Sequence, residues 1–142
     1  MKILLDTNIV LDLLLKREPF CDDAKSIFEV IEDGYVDGYL SPTSITTIHY
    51  LTSKQKGKEK ADEVVFKLLK IFNITTVDKI VLIESSLNNG NDFEDSVIYT
   101  SALFSDIDFI VTRDKKGFKN SKVKVITPAI MISKLIARGK NV

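Results

Sequence analysis

At 142 residues, with 44% hydrophobic and 28% charged side chains, the chain is long enough to bury a core without disulfide or metal staples, and its composition excludes a disordered or low-complexity polymer. Its one cysteine, Cys21, rules out an internal disulfide and a cysteine-built zinc site, and reads as a small packing residue. Basic and acidic side chains balance at 20 each, yet residues 1–105 hold 11 basic against 17 acidic (−6) while residues 106–142 hold 9 against 3 (+6), so neutrality conceals a basic C-terminal quarter.

Lys2-Ile3-Leu4-Leu5 predicts a short buried strand, and Asp6 follows it with no turn glycine. A carboxylate at the rim of a core is costly to desolvate, so Asp6 requires a partner. Residues 7–15 predict a helix capped by Asp6 or Thr7. Asp6, Asn8 and Asp12 interrupt the apolar residues, which excludes a membrane span or a signal-peptide core, and a cytoplasmic protein is expected. A second helix is predicted from Cys21 to Asp33, with Ala24, Ile27, Phe28 and Ile31 on one face and Gly34 in the C-cap place.

Tyr35 to Ser41 contains a second strand ended by Pro42, after which Ile45, Ile48 and Leu51 recur at helical spacing. Residues 54–58 read as a polar connection to a helix from Glu59 to Phe72. Ile74 to Val77 is the expected third strand; Asp78 then starts a helix from Lys79 to Leu87, and residues 88–91 form a turn. A helix over residues 92–105, strands over 108–112 and 123–126, and a last helix opened by Thr127-Pro128 and running to Ala137 complete the chain. This alternation predicts βαβ units and a parallel sheet in a single domain spanning residues 1–142.

Ligands of open parallel sheets sit outside the carboxyl ends of the strands. Asp6 lies at that end of strand one, Thr112 and Asp114 at that end of strand four, and Asp92, Glu94 and Asp95 at the start of the preceding helix. If strands one and four are neighbours, these groups face one crevice. Carboxylates within roughly 5 Å repel by about 3 kcal/mol per pair at an effective dielectric near 20, so a proton or a cation must relieve them. An all-oxygen set without His or Cys selects a hard ion, Mg²⁺ or Mn²⁺. Each acid also has a structural alternative: Asp6 as a helix cap, Asp92 with Asp95 as a shortened capping box, Asp114 as a turn residue. His49, the lone histidine, reads as a core or surface residue, and the basic quarter as either a solvated face or a phosphate-contact region.

Three stretches in order, "LLDTNIVLDLLL", "DFEDSVIYTSAL" and "IVTRDKKGF", resemble the PIN-domain ribonucleases, a family that includes the VapC-type toxins, and the resemblance runs over almost the whole chain. It implies a three-layer α/β/α sandwich around a five-stranded parallel sheet of order 3-2-1-4-5. On matching positions it implies that Asp6, Asp95 and Asp114 are the catalytic, metal-binding acids, with Asp92 an extra ligand or outer group. Asn8 and Thr112 become hydrogen-bonding supports, and Glu94 a further supporting candidate. One departure stands out. The family's acid on the helix after strand two falls here on Thr47, and no Asp or Glu occurs between Asp37 and Glu59.

The implied activity is Mg²⁺- or Mn²⁺-dependent endoribonucleolytic hydrolysis leaving a 5′-phosphate and a 3′-hydroxyl, with Arg113, Lys115, Lys116 and Lys119 on the RNA backbone. The implied partners are an antitoxin and a second copy of the chain. The contrasting reading, favoured by the neutral Thr47, is a degenerate PIN-like module that binds RNA or protein without hydrolysis. A nucleotide-dependent phosphoryl-transfer enzyme lacks support, because there is no Gly-x-x-x-x-Gly-Lys loop.

Overall fold

A computed structural model of the chain describes residues 1–87, 92–119 and 121–139. The turn expected at residues 88–91 lies outside them. In chain order the elements are β1 (Lys2–Leu5), α1 (Thr7–Leu14), α2 (Cys21–Glu32), β2 (Asp37–Leu40), α3 (Pro42–Lys56), α4 (Lys58–Ile71), β3 (Asn73–Ile74), α5 (Lys79–Ser86), α6 (Phe93–Phe104), β4 (Phe109–Val111), a 3-10 turn (Lys115–Phe118), β5 (Lys124–Ile126) and α7 (Pro128–Ala137). Among the described residues no helix is long and apolar enough to cross a membrane.

The five strands form one parallel sheet of order β3-β2-β1-β4-β5. β1 is central because its side chains are apolar on both faces: Ile3, Leu4 and Leu5 are all fully buried. Its alternation splits the core into two layers. Ile3 and Leu5 join a large cluster with Ile27, Leu40, Ile48 and Leu68, whereas Leu4 points the other way, to Ile98, Ala102 and Phe118. Helices on both faces of the sheet complete the α/β/α sandwich.

Local chemistry sets the element ends. Gly34, at φ +80°, closes α2 in a Schellman motif: its amide donates to the Ile31 carbonyl at 3.1 Å, and the Tyr35 amide to Val30 at 3.0 Å. Gly38 lets α2 and α4 approach β2, since a Cβ there would stand 2.7 Å from Ile31 and 3.0 Å from Phe72. Thr127 caps α7 by accepting the Ile130 amide at 3.3 Å.

Two boundaries differ from the sequence pattern. The polar stretch 54–58 is not a loop: α3 continues to Lys56, and Gly57 at φ +88° alone separates it from α4. Lys and Gln are good helix formers, and Lys54 and Lys56 sit favourably in the last turn. The third strand is Asn73–Ile74, earlier and shorter than Ile74 to Val77, because its partner β2 ends at Leu40 and Pro42 already opens α3.

Candidate metal centre

The carboxyl ends of β1 and β4 lie side by side, with Leu5 opposite Val111. The amide of Asp6 prolongs this pairing, donating to the Val111 carbonyl at 2.9 Å, so the residue is fixed before its side chain is considered. Its carboxyl is 7% exposed. Although Asp6 occupies the N-cap of α1, its side chain makes no capping bond. Oδ2 instead accepts the Thr112 hydroxyl at 2.8 Å. Thr112 is fully buried and is held in turn by its amide, which donates to the Ile126 carbonyl at 2.9 Å. The same hydroxyl oxygen accepts the Asp114 amide at 3.1 Å. One buried threonine therefore ties the first and third acids together.

Asp114 opens the 3-10 turn, accepting the Lys116 amide at 3.1 Å, and buried Phe118 anchors the other end of that turn. Gly117 brings the turn against α6: a Cβ there would lie 2.6 Å from Asp95 Oδ2. At the start of α6, Asp92 accepts the Asp95 amide at 3.2 Å, so the capping alternative for Asp92 is realised. Glu94 Oε1 accepts the hydroxyls of Thr47, at 3.2 Å, and Thr7, at 3.3 Å.

The electrostatics report the same convergence. Burial first, and then the charges of Asp6, Asp92, Glu94 and Asp114, together push the Asp95 carboxyl up to about 7. Burial also raises Asp6, against the Thr112 hydroxyl and the Thr7 amide that favour its charged form, while Glu94 and Asp114 add to the rise. Five acids thus share one region.

Other residues singled out by sequence lie differently. Asn8 is exposed, and its Oδ1 accepts from Arg17 Nη1 at 3.1 Å. Arg113 binds Asp12 in bidentate fashion, Nε to Oδ2 at 2.9 Å and Nη2 to Oδ1 at 3.2 Å, with its guanidinium 4.0 Å from the centre of the Phe20 ring. Its side chain is therefore engaged with α1 and not extended along an open surface. Lys115, Lys116 and Lys119 are exposed, and among the described residues none forms an ion pair. His49 sits between α3 and α4 with Nε2 2.7 Å from Asp62 Oδ1, as expected of a surface residue. Thr7, Ser44, Asp12 and Gly117 join the arrangement without standing out in the sequence; of these only Asp12, an acid inside an apolar helix run, carries a signal of its own.

The donors are carboxylate and hydroxyl oxygens, which fits a hard divalent cation and not a soft one. Among the described residues no three acidic, histidine or cysteine side chains close around an ion by themselves. An open set suits Mg²⁺, which keeps several waters and combines one or two carboxylates with substrate phosphate.

A model of the PIN domain family matches residues 2–116. This chain belongs to the PIN-domain family. The match extends two residues past Asp114 and so includes all three acids. Ribonuclease VapC1 of Aquifex aeolicus (strain VF5) is 25% identical over 130 residues, covering 89% of this chain and 90% of that protein. Among solved structures, VapBC2 from Rickettsia felis, bound to a DNA fragment from its promoter, superposes with TM-score 0.67 at 21% identity, covering 89% of this chain and 98% of that one. A toxin–antitoxin complex from Klebsiella pneumoniae gives TM-score 0.67 at 22% identity over 89% and 97%. PAE2754 from Pyrobaculum aerophilum gives 0.67 at 15% identity over 96% of each chain. At these identities the structural likeness speaks for the PIN fold.

Proposed function

We propose that this PIN domain is a divalent-metal-dependent endoribonuclease that hydrolyses RNA phosphodiester bonds, and that it serves as the toxin of a toxin–antitoxin pair. The observation that carries the reading is the Asp6–Thr112–Asp114 unit facing Asp95: acids from three segments, Asp6 buried, Asp95 half-buried and Asp114 exposed, with Asp6 and Asp114 wired by one hydroxyl and none of the three in an ion pair among the described residues. Asp6, Asp95 and Asp114 would hold Mg²⁺ or Mn²⁺, with Asp92 beside them. When bound, such an ion lowers the pKa of a water and stabilises charge on the phosphoryl group. The chain's own contributions are positional. The Thr112 hydroxyl fixes the Asp6 carboxyl and favours its charged form against burial, and Gly117 leaves room for Asp95. Lys115, Lys116 and Lys119 supply backbone contacts that carry no sequence information.

The antitoxin partner is supported by likeness to ribonuclease VapC1 and to chains solved as toxin–antitoxin complexes. Assembly as a homodimer and a cytoplasmic location complete the proposal. The test is incubation of the purified chain with total RNA, with Mn²⁺ and with a chelator. Cleavage that requires metal and vanishes in Asp6→Asn and Asp95→Asn is expected; unchanged cleavage in both variants rules the mechanism out.

Thr47 favours a second reading, a binding module without hydrolysis, because a neutral hydroxyl replaces an expected acid. That reading predicts no Mn²⁺ binding even at millimolar metal by isothermal titration calorimetry.

A further inference from the structure

We infer that Glu94, carried on α6 and held by hydroxyls from α1 and α3, supplies the fourth carboxylate of the crevice in place of the acid that α3 lacks. The inference rests on the nuclease reading and assigns the residue that reading leaves open. The geometry is specific. Ser44 and Thr47 are one turn apart on α3 and so share a face. Thr47 donates to Glu94 Oε1 at 3.2 Å, and Thr7, the first residue of α1, donates to the same oxygen at 3.3 Å. With its only proton on Glu94, Thr7 can only accept from Ser44, 2.7 Å away. The order of donation Ser44 to Thr7 to Glu94 is thereby fixed, inside a fully buried serine and a threonine that is 6% exposed.

Both contacts to Glu94 are hydroxyl donors aimed at its carboxylate oxygen. Among the described residues no lysine or arginine pairs with Glu94, and Oε2 takes no hydrogen bond. Compare Asp12, an acid of the same fold whose charge is met by Arg113 in bidentate fashion. Glu94 is oriented but not neutralised, and its charge is felt at both Asp6 and Asp95. A residue built only to brace α3 against α6 needs no net charge beside two other acids.

Position 47 then makes sense as one half of an exchange. A second carboxylate at 47 would face Glu94 across one hydrogen-bond length and repel it, whereas a hydroxyl donates to it. In this chain the carboxylate stands on α6, and the hydroxyl at the α3 position supports it.

The test is calorimetric titration of the full-length chain with Mn²⁺ alone, each variant being checked for fold by circular dichroism. Wild type is expected to bind, and Asp6→Asn to lose binding. Glu94→Gln, which keeps shape and hydrogen-bonding capacity, is expected to weaken binding by about tenfold, the scale on which groups around a metal act. The exchange variant Thr47→Glu with Glu94→Thr is expected to recover most of that loss. Weakening below about threefold in Glu94→Gln, with Asp6→Asn still dead, overturns this assignment and leaves the nuclease reading standing. Absence of Mn²⁺ binding by wild type overturns both. A folded exchange variant that recovers nothing overturns the replacement of the α3 acid; if the exchange variant does not fold, Glu94→Gln decides alone.

Discussion

Thr112 donates its hydroxyl to Asp6 Oδ2 at 2.8 Å, across 106 residues of chain, and accepts the Asp114 amide on the same oxygen. Replacing it with the isosteric valine leaves a buried carboxyl without its donor. A hydrogen bond to a charged group contributes about 2 kcal/mol, and that is the loss of stability expected for Thr112→Val by urea unfolding at pH 7. A loss under about 0.5 kcal/mol would show that Asp6 is satisfied elsewhere.

Arg113 is bound to Asp12, whose side chain is 1% exposed. Arg113→Ala strands that charge, with only Arg17 Nη1 at 3.7 Å left near it. The expected destabilisation is about 3 kcal/mol, the lower end for breaking a buried pair, whereas replacing both partners by Asp12→Leu and Arg113→Met recovers most of it. If Arg113 acts mainly on RNA, Arg113→Ala will unfold at the wild-type urea midpoint and show only weakened RNA binding.

Gly117→Ala places a methyl group 2.6 Å from Asp95 Oδ2. A short side chain can swing aside, so stability should change little, while the carboxylate leaves its place. Mn²⁺ affinity is expected to fall about tenfold, equivalent to about 1.4 kcal/mol. Wild-type affinity in this variant would mean that Asp95 does not contribute where the turn meets it.

Asp95 ordinarily titrates at 3.8 and is raised to about 7 in the fold. Between these values the folded chain keeps a proton that the unfolded chain has released, so the unfolded state binds fewer protons. Stability of the metal-free protein therefore falls as pH rises from about 4 to about 7, and this contribution is flat outside that window. Because a cation competes with that proton, Mn²⁺ affinity should climb across the upper part of the same window and level off above about 7. Asp95→Asn should remove the stability slope, which thermal melts at stepped pH will read directly.

Much of the scaffold could be read from side-chain pattern because each feature is local. An unbroken apolar run gave β1, a Schellman glycine closed α2, and Thr127-Pro128 opened α7. The strand order came instead from the family likeness, since periodicity carries no information on which strands are neighbours. Where the reading was short, the deciding partner was distant. β3 is bounded by the end of β2, and Arg113 turned from solvent to Asp12, 101 positions away. Asp6 could be a cap or a ligand on sequence alone; Thr112 decides against the cap. The hydroxyls of Thr7 and Ser44 were silent because serine and threonine have no pattern that marks them as supports, whereas Thr47 stood out by occupying the place of the family's acid.

β1 is bonded on both edges, to β2 near residue 38 and to β4 near residue 110. A growing polypeptide that has not yet reached Phe109 leaves the central strand with a bare edge, open to mispairing. Until the last quarter has been made, Asp6 also has no hydroxyl to meet it. Synthesis thus delays both the finished core and the assembled acidic crevice to the same late moment, and a product terminated before it would present an unpaired strand edge without the crevice.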